Sequence, residues 1–116
     1  MSRYYISGPM TGLPDFNFPA FHAAAARLRA IGHEVVNPAE LDAMDGDKEM
    51  AWADYLRRDI KALMDCDAIA MLPGWERSKG AMLEFQNAVT LGMAVFFLDA
   101  APAVRLPIPG KVKETA

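Results

Sequence analysis

The chain holds a single cysteine, Cys66, so no disulfide can close within it, which fits a reducing compartment and makes the cytoplasm the expected setting. No apolar stretch approaches the roughly 20 residues that a bilayer-spanning helix needs. Met1-Ser2-Arg3 leads straight into a strand-like run, with neither signal peptide nor membrane anchor to read. Positive charge is scarce: 12 Lys and Arg against 15 Asp and Glu leave −3, which argues against a surface that coats nucleic acid. The glycines match neither G-x-G-x-x-G nor the P-loop spacing, so dinucleotide redox chemistry and NTP hydrolysis both fall in rank. His22 and His33 are far apart on different elements and give a metal site little support; no metal and no cofactor is expected. Internal repeats and low-complexity segments are also missing.

What is there is one domain's worth of sequence, 116 residues and 53% hydrophobic, enough for a core without staples. Strand and helix alternate with little between. Tyr4-Tyr5-Ile6-Ser7 reads as a first strand stopped at Gly8-Pro9, and a Gly/Pro-rich loop follows to about Asp15. Phe18, Phe21, Ala25, Leu28 and Ile31 recur at helical spacing, with Asn17 as N-cap, Pro19 in the first turn and Gly32 closing. His33 to Val36 is a second strand, stopped by Asn37-Pro38. Residues from about Ala39 to Glu49 show no period and read as a loop with at most a helical turn, placed to act as a lid. A helix from about Ala51 to Asp65 precedes a third strand, Ala68 to Leu72, and a fourth runs from Ala94 to Leu98. The Pro-rich tail, Ala100 to Ala116, reads as a fifth strand, an arm on a neighbouring subunit, or disorder, so the division is 1–99 for the domain and 100–116 for the tail.

Strands that are apolar throughout and alternate with helices predict a parallel sheet covered on both faces. The expected fold is a three-layer α/β/α sandwich, flavodoxin- or Rossmann-like, with four to five strands in the order 2-1-3-4. Ligands in such sheets sit where strand order reverses, here between the loops after strands one and three. The second of those loops belongs to the stretch Pro73 to Glu84, which follows the third strand with a Pro/Gly turn and a helix opened by Ser78 and Gly80. That layout aims backbone N–H groups at an anion, and Glu84 leans back toward the same mouth.

Several of these residues have two readings. Asp59 lies on the apolar face of its helix, either at the edge of the stripe, paired with Arg57, Arg58 or a backbone donor, or as a functional group. Glu84 is either solvated or functional, and the small residues Ala81 and Ala88 on either side let another group approach. Tyr5 is a core or sheet-face aromatic whose hydroxyl reaches a polar partner; Ser78 is at least an N-cap; Trp75 caps a planar base or covers the core. Cys66 reads as a small buried hydrophobe.

Tyr5-Ile6-Ser7-Gly8-Pro9, Arg58-Asp59-Ile60, Cys66-Asp67-Ala68-Ile69-Ala70 and Ser78-x-Gly80-x-x-x-Glu84, in that order, resemble the nucleoside 2-deoxyribosyltransferase superfamily over about residues 4 to 98. That superfamily includes the 2'-deoxynucleoside 5'-monophosphate N-glycosidases. The resemblance is closer still to a small, often phage-associated branch marked by Tyr-Ile-Ser-Gly-Pro-Met-Thr-Gly and Leu-Pro-Gly-Trp. It implies that Glu84 is the nucleophile at C1' of the sugar, that Asp59 assists departure of the base or holds sugar hydroxyls, and that Tyr5 orients Glu84. Ser78 and Gly80 match positions that receive a 5'-phosphate, while Ser7, Gly8, Pro9, Met10 and Trp75 are the other expected substrate contacts. The expected ligand is a small nucleoside or nucleotide, with no nucleic acid or membrane partner and a homodimer or higher homo-oligomer as the assembly. Alternatives are a non-catalytic nucleotide-binding module, or a ribonucleotide phosphoribohydrolase, whose Pro-Gly-Gly-x-Gly-Thr-x-x-Glu motif Pro73-Gly74 with Gly80 and Glu84 faintly resembles.

Overall fold

The computed structural model describes residues 2–45 and 50–98. Four parallel strands form one sheet in the order β2-β1-β3-β4: β1 (Arg3–Ser7), β2 (Glu34–Val36), β3 (Ala68–Met71) and β4 (Ala94–Phe97). Four helices connect them: α1 (Phe18–Ala30), α2 (Pro38–Asp45), α3 (Trp52–Met64) and α4 (Lys79–Thr90). The α/β architecture and the expected strand order are both present. The Ala100 to Ala116 tail, expected as a strand, an arm or disorder, lies outside the described residues, as do residues 46–49.

The two-residue period of each strand sorts the core into two halves. Tyr4 and Ile6 point to the face covered by α1, where they meet Phe21, Ala24, Ala25 and Leu28. Tyr5 points the other way, among Leu63 of α3, Ala81 and Ala88 of α4, and Ile69, Met71 and Val95 of the sheet. Every residue of β3 is buried, as a strand covered on both faces requires. No described helix is long and apolar enough to cross a membrane.

Gly8 is required by close packing rather than by backbone freedom. A Cβ placed there would lie 2.7 Å from Leu72 Cβ, so only glycine lets the exits of β1 and β3 approach. Gly74, at φ +86°, makes the left-handed turn that leads from β3 toward α4.

Two expectations need correction. The segment from Ala39, expected to be a loop, is helical in its first half, where α2 runs from Pro38 to Asp45. Its stability comes from specific bonds and not from an apolar stripe: Asn37 Oδ1 accepts from Ala39 N at 3.0 Å, and Arg29 forks onto Glu40 at 2.7 Å. Asn17 stands at the N-cap of α1 but in a left-handed conformation, and its side chain does not cap. Instead Asn17 Nδ2 donates to the Pro9 carbonyl at 3.0 Å and ties the loop to the start of the helix.

Candidate active site

The site begins with the alternation of β1. Tyr5 and Ser7 are two apart and therefore share a face, the one that α4 covers. Ala81 and Ala88, one turn to either side of Glu84, are both fully buried and let α4 lie close on the sheet. Glu84 is thereby set down between the two hydroxyls. The Tyr5 hydroxyl donates to Glu84 Oε2 at 2.7 Å and the Ser7 hydroxyl donates to Oε1 at 2.6 Å. Only 5% of Glu84 is exposed.

Burial of this carboxylate is costly, and its acidity records the cost. Removal from water pushes the Glu84 carboxyl up to about 7, the hydrogen bonds from Ser7 and Tyr5 oppose the rise, and the charge of Asp59 adds to it. The Tyr5 hydroxyl is held well above its ordinary value, first by burial and then by the Glu84 charge, so it remains a donor. Glu84 is poised near neutrality with its orientation fixed at both oxygens.

Asp59 faces it from α3. Arg58 donates to Asp59 Oδ1 from Nε at 3.0 Å and from Nη2 at 2.8 Å, while Arg57 turns away to Asp54. The edge-pairing reading of Asp59 is therefore met by Arg58, and the functional reading survives beside it, because Asp59 also lines the central cavity. Burial pushes the Asp59 carboxyl up to about 6; the Arg58 hydrogen bonds and charge act downward, and the charges of Asp42 and Asp45 act upward.

The cavity has a volume of about 680 Å³, ample for a small planar ligand with a sugar. Gly8, Met10 and Ser78 line it from the loops after β1 and β3, and Asp59, Gly80, Ala81 and Glu84 from α3 and α4. The site thus lies at the carboxyl ends of the two central strands, where the strand order reverses.

Among the expected site residues, Tyr5, Gly8, Met10, Asp59, Ser78, Gly80 and Glu84 come together on this cavity. Ser7 adjoins it through Glu84, to which it gives its hydroxyl. Pro9 is not a lining residue, and its carbonyl is taken by Asn17. Trp75 is not a lining residue either: its ring packs on Phe85 at 4.6 Å and on Phe97 at 5.8 Å, where it covers the core. Ser78 caps α4, its hydroxyl accepting from Ala81 N at 3.1 Å. A Cβ on Gly80 would sit at ordinary contact distance from Leu56 and Trp52, so packing alone does not demand glycine there. Cys66 is buried and its thiol is pushed up to about 11 by that burial, which fits the hydrophobe reading.

Sequence reasoning missed several walls of the cavity: Phe16, Asp42, Met50, Trp52 and Tyr55. Phe16 is 61% exposed and Trp52 56%, unusual for large apolar rings. Phe16 sits in the triplet Asp15-Phe16-Asn17, whose members all adopt φ between 53° and 61°, a left-handed run that the sequence does not announce.

The fold has solved counterparts. A 2-desoxiribosyltransferase from Leishmania mexicana matches 95% of this chain and 81% of its own, with a TM-score of 0.64 and 16% identity. A 2-deoxyribosyltransferase from the psychrotolerant bacterium Bacillus psychrosaccharolyticus matches 82% of this chain and 70% of its own, with a TM-score of 0.62 and 17% identity. At these identities the likeness is one of fold, as the sequence resemblance implied. No curated protein matches the chain in sequence. A family model does, across residues 2–97, and the chain belongs to that family, described as a domain of unknown function (DUF4406).

Proposed function

We propose that this protein cleaves or transfers the N-glycosidic bond of a nucleoside or deoxynucleoside, or of its 5'-monophosphate, with Glu84 as nucleophile. The observation that carries the reading is the Glu84 carboxylate, 5% exposed, gripped by two hydroxyl donors and opening onto a cavity that Asp59 also lines. A carboxyl pushed up by burial, facing a second carboxylate in a cleft, is an arrangement that functional sites favour. Two solved folds that match are those of deoxyribosyltransferases, one of them described as a biocatalyst for the synthesis of nucleosides.

In this reaction a Glu84 oxygen forms a bond to C1' as the C1'–N bond breaks, and the electron pair leaves with the base, which takes up a proton from solvent water or from a neighbouring acid. The positive charge that develops on the sugar lies against the carboxylate, and the product is a glycosyl ester of Glu84. Tyr5 and Ser7 hold the nucleophile in a single orientation, so little freedom is lost on the way to attack. Asp59 supplies the second carboxylate, for base departure or for the sugar hydroxyls. Water attacking C1' of the ester gives hydrolysis and a second base gives transfer; either one frees Glu84. A 5'-phosphate would be received at the start of α4, where Ser78 and Gly80 line the cavity. The exposed Phe16 and Trp52 at the cavity support the expected homo-oligomer.

Release of free base, followed by chromatography over ribo- and deoxyribonucleosides and their 5'-monophosphates with and without an acceptor base, tests this directly. The expected result is base release by wild type and none by E84Q. If no compound turns over while a nucleotide raises the melting temperature of both proteins equally, the protein is a binding module instead.

A further inference from the structure

The chemistry above uses Asp59 and leaves Arg58, its neighbour in sequence, without a part. Adjacent residues on a helix project about 100° apart and do not face one another. Yet the Arg58 guanidinium curls back so that Nε and Nη2 both donate to Asp59 Oδ1. What holds it there is α2. Nη1 donates to Asp45 Oδ2 at 2.7 Å and Nη2 also reaches Asp42 Oδ1, two carboxylates three residues apart on one helix face. The guanidinium also lies over the Tyr55 ring, 5.3 Å from its centroid. The fork is thus fixed from a second helix and an aromatic ring while it grips Asp59.

Two features separate this cluster from ordinary surface pairing. It is unbalanced, with three partly buried aspartates on one guanidinium that is itself 19% exposed. Buried ion pairs add little to stability, and excess buried carboxylates subtract from it, so stability alone does not account for the arrangement. It is also one-sided. Both Arg58 contacts fall on Oδ1, and among the described residues no hydrogen bond uses Oδ2, although Asp59 lines the cavity beside Glu84.

The geometry points to Arg58 as a positioning residue: it grips Asp59 through Oδ1 and leaves Oδ2 to accept a hydrogen bond from a hydroxyl of the bound sugar, rather than to protonate the departing base. The assignment rests on the glycosidic reading of the cavity. The Arg58 grip opposes the rise that burial imposes on Asp59 and so favours its ionised form, and an ionised carboxylate only accepts. The groups acting on Asp59 are Arg58 on its own helix, Asp42 and Asp45 on α2, Tyr5 on β1 and Glu84 on α4. The negative ones favour protonation, and Arg58 is the cation that opposes them.

The test compares R58K and R58A with wild type in two measurements. In the first, carboxyl NMR follows the titration of Asp59 in the ligand-free protein, which needs no turnover. The expected result is a rise of about one pH unit or more in R58A. In the second, kcat/KM per folded molecule should fall about 100-fold in R58A. R58K, which keeps the charge but loses the fork, should recover little of that, and millimolar guanidinium added to R58A should recover more. Should R58A fail to fold, the same change in a D42N/D45N background removes the repulsion and still deprives Asp59 of its grip. An unmoved Asp59 titration together with kcat/KM within about twofold of wild type would overturn the proposal and leave Arg58 as a tie between α2 and α3. If wild type turns over nothing, the glycosidic reading fails by itself, and with it the sugar role of Oδ2; the titration still decides the grip on Asp59.

Discussion

Replacing Glu84 by glutamine should stabilise the protein, and the gain should grow with pH. Burial lifts the Glu84 carboxyl from 4.5 to about 7, so between these values the folded chain holds more protons than the unfolded one. Stability therefore falls as pH rises through that window, and the ionised carboxylate costs the folded state about 3 kcal/mol above it. Glutamine is neutral throughout. Its Oε1 can accept from one hydroxyl and its Nε2 can donate to the other, so the bonds to Tyr5 and Ser7 are kept in kind. At pH 8 the E84Q melting temperature should exceed that of wild type by about 10–20 °C, and near pH 4.5 the two should nearly coincide. Thermal unfolding followed by circular dichroism at both pH values measures it. Equal stability at pH 8, or a more stable wild type, would refute the argument, because Glu84 would then not be carrying the cost that a functional carboxylate carries.

Y5F removes the donor to Oε2; kcat/KM for base release should drop about 10- to 100-fold, and the acidic limb of the pH–rate profile should move to higher pH, since the ionised Glu84 loses a bond worth about 2 kcal/mol. G8A forces a Cβ against Leu72, and chemical denaturation should show a loss of about 2 kcal/mol or more. W75A opens the packing with Phe85 and Phe97 and should cost about 2–3 kcal/mol in the same assay with KM unchanged, whereas a base-capping tryptophan would raise KM. Cys66 should resist a soluble thiol reagent in the folded protein and react once unfolded, since burial pushes it up to about 11.

The parallel sheet and its order were legible because β1, β3 and β4 are short, apolar and separated by strongly patterned helices. Glu84 was legible as a carboxylate among small residues about a turn and a half into a helix, but the sequence alone could not say that its partners would be the hydroxyls of Tyr5 and Ser7. Those meet it only because β1 alternates and the order places β1 beside β3. Helix α2 escaped detection because its helicity rests on Arg58, Arg29 and Asn37, contacts made by residues outside it. Trp75 was ambiguous for a similar reason, as nothing local to Gly74-Trp75-Glu76 reveals that Phe85 and Phe97 form its bed. Asp59 looked like a choice between pairing and function. The structure shows the pairing, made through one oxygen, and leaves the residue on the wall of the cavity.

Covalent attachment of the sugar to Glu84 is decided by mass spectrometry of protein quenched during turnover of a slow substrate. The expected spectrum carries a single added glycosyl group on the peptide that contains Glu84, absent from E84Q. Base release by wild type with no adduct at Glu84, or with the adduct on another residue, would contradict it.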